Sequence, residues 1–215
     1  MTTPLAMPAG FDAHPALAHA PPTVAADPDV HLMMLFQDGN DEAFAQLIRR
    51  NQHKVFAVIF RFLRDRAEAE DLTQEVFLRV YRTAARYEPT ARFSTWLYSI
   101  ATNISRNAIR GRSRLRTSPL EIRADDDEGF HRDLPDPVGP QPHAAMDKQE
   151  LDKAVMDAID QLPEQQKVAI ILNKYEDLCY EDVAVVLDCS VMAVKSLLSR
   201  ARSNLKTRLM PYLRK

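Results

Sequence analysis

The prolines of this chain are clustered, and their positions divide it into two helical stretches. Six of the 14 prolines lie in residues 1–30 and five more lie in residues 117–150. Proline breaks helix interiors and sheet ladders, so the clusters predict a disordered tail over 1–30 and a flexible linker over 117–150. Apolar residues recur at helical spacing in 31–116 and in 151–215. We therefore expect an all-α protein of two small helical domains.

Composition excludes several classes of protein. Glycine is scarce, at 5 of 215 residues, which argues against hairpin-rich sheets and glycine-rich phosphate loops. The longest unbroken apolar run has six residues, 55–60, whereas a membrane-spanning helix needs about 20. The first 30 residues carry no Lys or Arg, unlike the start of a secretory signal. We expect a cytoplasmic protein.

The two cysteines do not suggest a metal or redox site. Cys179 and Cys189 have no second cysteine pair and no nearby histidine with metal-ligand spacing. We interpret both as small packing residues, and we expect neither a metal nor another cofactor.

Charge is unevenly distributed along the chain, although the formal net charge is only -2. Bases and acids number 0 and 3 in residues 1–30, 15 and 9 in 31–116, 3 and 9 in 117–150, and 10 and 9 in 151–215. The corresponding net charges are -3, +6, -6 and +1. Bases gather at the end of each helical stretch, over 86–116 and from residue 195 onward, and these runs are candidate contacts for a polyanion.

One helix is predicted over 71–86. Its inward face carries Leu72, Val76, Phe77 and Val80 at helical spacing. Its outward face carries Asp71, Gln74, Glu75 and Arg79. Acids at 68, 71 and 75 raise the alternative of a carboxylate metal site, but the Glu-x-x-His pairs of helical di-iron proteins are absent from the sequence. We favour a plain acidic surface.

The helix predicted from Phe93 onward has two contrasting faces. The apolar stripe, which should pack inward, comprises Phe93, Trp96, Leu97, Ile100, Ala101 and Ile104. The opposite side, here called the polar face, comprises Thr95, Ser99, Thr102, Asn103, Arg106 and Arg110, with Tyr98 at its flank. Hydroxyl, amide and guanidinium groups can hydrogen-bond base edges and phosphates. The Tyr98 ring could stack on an unpaired base or pack half-buried, and both interpretations stay open.

The second domain contains a helix-turn-helix pattern. Leu162-Pro-Glu164 predicts a helix start, since proline is tolerated in the first helical turn, and the apolar face of that helix comprises Val168, Ile171 and Leu172. A helix is predicted over Tyr180–Leu187, then a break at 188–190, then a long helix from Val191 with Ser190 as its N-cap. The last helix should pack through Val194, Leu198, Ala201 and Leu205. A second helix that is basic on its free side is typical of one that enters the DNA major groove.

These motifs together resemble a known family. They are Asp71-Leu-Thr-Gln-Glu-Val-Phe77, Phe93-Ser-Thr-Trp-Leu-Tyr-Ser-Ile-Ala-Thr-Asn103, Leu162-Pro-Glu164, Tyr180-Glu-Asp-Val-Ala184 and Val194-Lys-Ser-Leu-Leu-Ser-Arg-Ala-Arg202. In this order they resemble the extracytoplasmic-function (ECF) sigma factors of bacterial RNA polymerase, in particular the RpoE-like group. The resemblance covers residues 35–115 and 148–213 and leaves out the tail and most of the linker.

The resemblance implies a role for the first domain, which is similar to sigma region 2. It would bind core RNA polymerase through Asp71, Gln74, Glu75 and Phe77. It would also capture the melted minus-ten strand of promoter DNA, with Asn103 at a pocket for a flipped base. The residues implied in that contact are Thr95, Tyr98, Ser99, Thr102, Asn103, Arg106 and Arg110. The chain itself would make or break no bond, so it would not be an enzyme and would have no catalytic residues.

The second domain is similar to sigma region 4 and would read the minus-thirty-five duplex. The residues implied in that contact, here called the basic face of the last helix, are Lys195, Ser196, Ser199, Arg200, Arg202 and Lys206. Three positions depart from the family: Asp188 replaces the usual turn glycine, Leu197 stands where Arg is frequent, and Asn173 replaces a basic residue found in some members. Asp tolerates left-handed backbone geometry. Fewer phosphate contacts predict a weaker grip on DNA and a shallower salt dependence.

The resemblance also implies partners. They are core RNA polymerase, promoter DNA and an anti-sigma factor, which in this family is often membrane-bound; no small-molecule substrate is implied. In the family layout the linker follows the RNA exit path of the polymerase. Its acids Asp125, Asp126, Asp127 and Glu128 would then either mimic RNA charge or form a solubilising tether.

Two other classes of protein compete with this interpretation. A free-standing helix-turn-helix regulator would bind duplex DNA without polymerase, and it would leave the 71–77 surface and the Trp96 helix without a role. A nucleic-acid enzyme would need a nucleophile paired with a base, a Walker loop or metal-ligand spacing, and the sequence shows none of these patterns.

Overall fold

The computed structural model describes residues 26–116 and 142–213. Within these ranges the chain forms eight α-helices and one 3-10 turn, without strands, and the all-α prediction is confirmed. The N-terminal domain contains α1 (Pro28–Gln37), α2 (Asp41–Leu63), α3 (Arg66–Thr83), the 3-10 turn (Ala84–Arg86) and α4 (Phe93–Arg116). The C-terminal domain contains α5 (Pro142–Asp160), α6 (Glu164–Tyr175), α7 (Tyr180–Leu187) and α8 (Val191–Leu213).

Two helices begin earlier than the proline clusters predict. α1 begins at Pro28, inside the tail predicted for 1–30, and α5 begins at Pro142, inside the predicted linker. Proline fits the first turn of a helix, where its missing N–H has no partner to lose. At α1 the side chain of Asp27 caps the helix by accepting a hydrogen bond from the Asp29 N–H at 2.9 Å. Residues 1–25 and 117–141, with the linker acids 125–128, lie outside the described residues.

The apolar stripe of α4 packs inward as predicted. Phe93, Leu97 and Ala101 are buried in the N-terminal core. Trp96 is half-buried, and its ring centroid lies 4.8 Å from that of Tyr87. α4 packs on α2 and α3 through this side, so its polar face points away from the centre of the N-terminal domain.

The helix-turn-helix has the predicted limits, α7 over Tyr180–Leu187 and α8 from Val191. Asp188 takes the left-handed conformation at the turn, with φ 50° and ψ 55°, as expected of a residue that replaces glycine there. The N-cap role of Ser190 is also confirmed, because its Oγ accepts from the Ala193 N–H at 3.2 Å. The turn therefore fixes the direction in which α8 leaves α7.

The two cysteines differ in their surroundings, and the packing prediction is wrong for one of them. Cys189 is partly buried and packs against the core. Cys179 is exposed and forms the N-cap of α7. Its Sγ accepts from the Asp182 N–H at 3.5 Å and donates to Asp182 Oδ2 at 3.0 Å. The N-cap position favours a small side chain that can accept a hydrogen bond. The spacing of apolar residues does not indicate such a cap.

The two domains pack against each other. α7 lies against α4, and α6 lies against α2. The buried apolar side chains of both domains form one continuous cluster. The polar face of α4 is consequently at the boundary between the domains.

Candidate nucleic-acid interface

The basic face of α8 is open to solvent. All of its predicted members, Lys195, Ser196, Ser199, Arg200, Arg202 and Lys206, are exposed. The side chains opposite them, Val194, Leu198 and Ala201, are buried in the C-terminal core as predicted. Since α8 contains no acidic residue along Val191–Leu213, this face presents positive charge without an acid on the same helix, which attracts a polyanion.

Met192 extends the basic face toward the start of α8, and sequence reasoning missed it. Its side chain is 73% exposed, and it lies three, four and seven residues before Lys195, Ser196 and Ser199 on the same side of the helix. The helical register of the charged residues could have indicated it. An exposed apolar side chain beside hydrogen-bonding ones can contact a thymine methyl group.

Two of the departures from the family pattern have structural roles in the C-terminal domain. Leu197 is partly buried and packs against the core. Asn173 donates from Nδ2 to the Leu178 carbonyl at 2.9 Å and so ties the end of α6 to the loop before α7. Both side chains stabilise the fold at positions where a basic residue would add charge.

The polar face of α4 is largely covered, in contrast to the basic face of α8. Thr95, Tyr98, Ser99 and Thr102 are buried, Arg106 is partly exposed, and Asn103 and Arg110 are exposed. Four of the seven members of this face are therefore covered in this conformation, and of the two interpretations left open for Tyr98 the packed one is observed. The physical reason is that the C-terminal domain packs on it, which the periodicity of α4 alone cannot indicate.

Carboxylates of the C-terminal domain contact the first half of this face. Thr95 Oγ1 donates to Asp182 Oδ1 at 2.8 Å, and the Tyr98 hydroxyl donates to Glu176 Oε2 at 2.6 Å. Arg61 of α2 also reaches Glu176 at 3.4 Å, and its guanidinium lies 4.4 Å from the centre of the Tyr175 ring. Tyr98 is thus held by packing and a hydrogen bond in this conformation.

The second half of the face meets another carboxylate. Glu164, the first residue of α6, forms an ion pair with Arg106 and lies 3.7 Å from Arg110 Nη2. Among the described residues, Asp182, Glu176 and Glu164 are thus three carboxylates of the C-terminal domain that engage the polar face. Each of them accepts a hydrogen bond from, or forms an ion pair with, a side chain that the family resemblance assigns to DNA.

Burial perturbs the groups at the centre of this contact. Desolvation raises the pKa of Glu176, and the Tyr98 hydrogen bond and the Arg61 charge oppose that shift. Desolvation also raises the pKa of Tyr98, as does its hydrogen bond to Glu176. Tyr98 therefore remains a protonated donor at neutral pH, while Glu176 is held in an environment that disfavours its charge.

The C-terminal domain does not provide a hydrogen-bond partner for every polar group of the covered face. Thr102 Oγ1 is buried and has no hydrogen-bond partner among the described residues, whereas the neighbouring Ser99 Oγ donates to the Thr95 carbonyl at 2.9 Å. An unpaired buried hydroxyl costs about 1–3 kcal/mol. The contact therefore leaves part of the hydrogen-bonding capacity of α4 unused.

The outer side of α3, here called the outer stripe, comprises Asp71, Gln74, Glu75, Leu78 and Tyr81. All five are exposed, and Leu78 and Tyr81 keep 55% and 54% of their surface in solvent. The last two were missed in the sequence, although Leu78 follows Asp71 by seven residues on the same helix side. Exposed large apolar side chains among polar ones mark a protein-binding surface.

Phe77 requires a correction. It was assigned to polymerase binding because it belongs to the family motif, but only 6% of it is exposed and it lies in the N-terminal core. Its motif position reflects the packing of α3, and its neighbour Leu78 is the apolar side chain that α3 presents to solvent. The helical periodicity, which placed Phe77 on the inward face, is confirmed, and in this conformation Phe77 does not present the exposed side chain that the motif-based role requires.

The described residues offer neither a metal centre nor a membrane span. Nowhere in 26–116 or 142–213 do His, Cys, Asp and Glu side chains group in threes around a possible metal position. Glu68, one of the acids considered for such a site, is ion-paired with Arg112. Each helix of these ranges is too short or too polar to cross a membrane.

Two family models match the chain and define its class. The model of sigma-70 region 2 matches residues 47–115, and a model of sigma-70 region 4 matches residues 152–205. The first match contains α3 with most of α4, and the second contains the helix-turn-helix. The class is therefore that of bacterial sigma factors.

Curated relatives narrow the class. The RNA polymerase sigma-H factor of Pseudomonas aeruginosa is 37% identical over 86% of this chain and 96% of its own length. The ECF RNA polymerase sigma-E factors of Haemophilus influenzae and Escherichia coli K12 are 35% and 32% identical over 86% and 87% of this chain, and each match spans 97% of the relative. The chain belongs to the extracytoplasmic-function (ECF) sigma factors of bacterial RNA polymerase, which are initiation factors and not enzymes.

Solved structures share the fold. CnrH, in complex with the cytosolic domain of CnrY, matches with a TM-score of 0.64 at 24% identity over 86% of this chain and 99% of that one. The sigma factor RpoE of Bartonella quintana, in complex with the anti-sigma factor NepR, matches with a TM-score of 0.61 at 24% identity over 78% and 96%. These likenesses concern the arrangement of helices.

Proposed function

We propose that this sigma factor divides its work among three surfaces. The outer stripe of α3 binds core RNA polymerase, the polar face of α4 binds the melted minus-ten strand, and the basic face of α8 binds the minus-thirty-five duplex. Through them the chain directs polymerase to specific promoters and promotes strand opening. The observation that carries the proposal is the outer stripe, because a free-standing helix-turn-helix regulator has no use for it.

The outer stripe suits a protein partner. Leu78 and Tyr81 supply apolar area, and Asp71, Gln74 and Glu75 supply hydrogen bonds and charge around it. Such an apolar centre with a polar rim is the usual anatomy of a protein interface. Tyr81 is also pre-ordered, since its ring lies 5.4 Å from those of Phe36 and Phe44, so little side-chain entropy is lost when it binds.

The basic face of α8 suits duplex DNA. Lys195 and Arg200 project from the first turns of a helix that follows a tight turn, as in a recognition helix. Ser196 and Ser199 can bond to base edges, and Met192 offers an apolar contact. Arg202 and Lys206, farther along α8, are placed for phosphates, whose contacts position the helix without specifying sequence.

The polar face of α4 suits an unpaired strand. Thr95, Thr102 and Asn103 supply short donors and acceptors, Arg106 and Arg110 supply charge, and Tyr98 supplies a ring. Splayed bases are bound by stacking and by hydrogen bonds to their exposed edges. In this conformation the face has to be uncovered before DNA can reach most of it.

Regulation and location follow the family. We propose that an anti-sigma factor binds this chain, supported by the common fold with RpoE of Bartonella quintana, which was solved in complex with its anti-sigma factor NepR. The chain would act in the cytoplasm together with RNA polymerase. For the linker acids 125–128, an RNA-mimicking role and a tether remain the two alternatives, and exchange of all four for Ser separates them by the ratio of abortive to full-length transcripts.

Reconstitution with core polymerase tests the proposal. Transcription is measured by sequencing the products from a library of randomised promoters, and we expect the wild-type holoenzyme to select a two-part promoter. Gln74→Ala with Glu75→Ala should weaken core binding by about tenfold or more, since interface hot spots cost more than about 1.4 kcal/mol. The matched control is Glu88→Ala with Gln165→Ala, which removes the same side-chain types at exposed positions away from α3. The proposal fails if the double variant binds core as the control does and the wild type never initiates.

A further inference from the structure

Helix α1 contacts both ends of the short loop that leads into α4. This loop, here called the α4 entry loop, comprises residues 87–92 between the 3-10 turn and Phe93. At its first end, Gln37 Nε2 donates to the Tyr87 carbonyl at 3.0 Å and to a carbonyl of the 3-10 turn at 2.8 Å. At its second end, Asp27 Oδ2 accepts from the Phe93 N–H at 3.0 Å. One helix therefore fixes where the loop begins and where it enters α4.

The Asp27 carboxylate is shared by two helix N-termini. Its Oδ1 accepts from the Asp29 N–H at 2.9 Å and caps α1, while its Oδ2 accepts from the first N–H of α4. The first N–H groups of a helix have no partner within the helix itself, and a negative charge is favourable beside them. A single side chain thus ties the start of α4 to the start of α1.

Aromatic packing closes the base of the loop between these two ends. The centroid of the Tyr87 ring lies 6.1 Å from that of Phe93 and 4.8 Å from that of Trp96. The Tyr87 hydroxyl oxygen is buried and has no hydrogen-bond partner among the described residues, so the bond from Gln37 to the Tyr87 carbonyl supplements the ring packing. Burial raises the pKa of Tyr87, and the charge of Asp27 adds to that shift. The carboxylate that holds the second end of the loop therefore also lies near the first end.

The middle of the α4 entry loop is exposed, although its ends are held. Thr90 and Arg92 are exposed, and the proline between the loop ends, Pro89, restricts the backbone. The Arg92 carbonyl accepts from the Thr95 N–H at 3.1 Å, so the last loop residue is joined to the first turn of α4. A loop with few free conformations loses little entropy when it binds. The position of Arg92 beside the polar face of α4 is therefore set before any ligand arrives.

We propose that Asp27 and Gln37 are positioning residues for minus-ten recognition. By holding both ends of the α4 entry loop, they fix Arg92 and the first turn of α4 in the place where an unpaired strand meets the polar face. The inference rests on the proposed role of that face. Both residues precede residue 47, where the match to the region 2 model begins. Their contacts lie within the N-terminal domain and do not depend on the position of the C-terminal domain.

The test variant is Asp27→Asn with Gln37→Glu in the full chain, reconstituted with core polymerase. Asparagine can still cap α1, but it offers one acceptor oxygen where Asp27 uses two. Glutamate keeps the size of Gln37, but it has no N–H for the two carbonyls. The two changes cancel in net charge, so the non-specific attraction to DNA stays the same.

The matched control is Asp38→Asn with Gln46→Glu. It makes the same two exchanges at exposed positions of the N-terminal domain. Within the described part of the chain, neither side chain bonds to the α4 entry loop or to its ends. Any difference between the two variants therefore comes from the contacts of α1 with the loop.

Discrimination among minus-ten sequences is the main readout. It is the ratio of transcription from the minus-ten sequence selected in the transcription assay to transcription from its single-base variants. We expect this ratio to be about fivefold lower for the test variant than for the control, which is about the least that one correctly read base supplies. Core binding and preference among minus-thirty-five sequences should match the control, because the proposed surfaces for both are separate from the α4 entry loop.

The single tryptophan of the chain gives a second readout that does not involve a promoter. Trp96 packs on the Tyr87 ring, so release of the Tyr87 end should let water reach the indole and shift its emission to longer wavelength. The test variant should show this shift in the free chain and the control should not. Circular dichroism establishes that both are folded at the temperature used.

Minus-ten discrimination equal to that of the control would overturn the inference. So would a parallel loss of core binding and thermal stability, because α1 would then support only the fold. If the test variant does not fold, Gln37→Glu is compared with Gln46→Glu, and a smaller loss of discrimination is expected. Failure of the wild type to initiate removes the proposed function itself. Initiation by the wild type, with undiminished discrimination in the test variant, removes only the positioning role.

Discussion

Two helices of this molecule carry side chains suited to nucleic acid, and the structure treats them in opposite ways. The basic face of α8 is exposed along its length, while the polar face of α4 is covered by carboxylates of the same domain that carries α8. The bases of α8 have no acids on their own helix, whereas the donors of α4 are matched by acids from another domain. Exposure of a proposed DNA-binding surface is therefore set by which domain lies next to it as well as by its own residues.

The difference fits the order of events at a promoter. Duplex DNA is available before polymerase opens it, so a duplex-reading face gains nothing from being covered. A single strand exists only after melting, and a face that binds single strands without restraint would also bind RNA and other unpaired nucleic acid. Covering α4 in the free chain and uncovering it in the polymerase complex would confine strand capture to the complex.

The largest expected effect is a difference in stability between substitutions on the two sides of α8. Leu198 is 1% exposed and Ser199 beside it is exposed. Leu198→Ala should lower the free energy of unfolding by about 2–5 kcal/mol, because it leaves a cavity in the C-terminal core. Ser199→Ala should change that free energy by no more than about 0.5 kcal/mol. Urea denaturation measures both, and similar losses would mean that α8 does not present the face described here.

A second prediction concerns the open face alone. Lys195→Ala with Lys206→Ala should weaken binding of the free chain to a minus-thirty-five duplex and reduce the slope of log affinity against log salt by about 2. Single-strand binding by the free chain should change little, since the covered face limits it. Titration of duplex and single strand at several salt concentrations checks this. A parallel loss for both probes would show that α8 also binds the single strand.

The smallest expected effect is a difference in stability between substitutions of two threonines on the covered face of α4. Thr95→Val removes the hydrogen bond to Asp182 and leaves that carboxylate short of a donor, so it should weaken the contact between the two domains by about 1 kcal/mol. Thr102→Val removes a hydroxyl without a partner among the described residues and should leave the contact unchanged or strengthen it by up to about 1 kcal/mol. Thermal unfolding of the two variants gives the comparison. Equal destabilisation would contradict the geometry of the contact.

Much of the architecture could be predicted from local pattern. Four features depend on residues that are close in sequence, and the local pattern therefore predicts them. They are the limits of α7, the N-cap at Ser190, the left-handed backbone of Asp188 and the apolar stripe of α4. The start of α1 was missed although its signal is local, because Pro28 was counted only as a helix breaker, whereas Asp27 caps the helix and Pro28 fits its first turn. Asp27 is also held by α4, since its Oδ2 accepts from the Phe93 N–H at 3.0 Å.

The candidate surfaces were predicted less completely than the helices. Periodicity shows that Thr95 and Thr102 lie on a polar side, but it does not show what packs there, and a polar side can be buried when another domain supplies acceptors. Phe77 was assigned to polymerase binding on its motif alone, although the periodicity of the helix had already placed it on the inward face, where the structure has it. Leu78 and Met192 were missed because apolar residues are assigned to the core by default, although each shares a helix side with exposed polar residues.

The distance between the domains tests the central claim most directly. Cysteines that replace Glu88 and Glu181, both exposed and in different domains, carry a donor and an acceptor dye in a chain with Cys179→Ser and Cys189→Ala. Serine preserves the N-cap of α7. Energy transfer should be high in the free chain and fall when core polymerase is added, because the domains separate and the polar face of α4 becomes accessible. Low transfer in the free chain, or transfer that core polymerase leaves unchanged, would contradict the account.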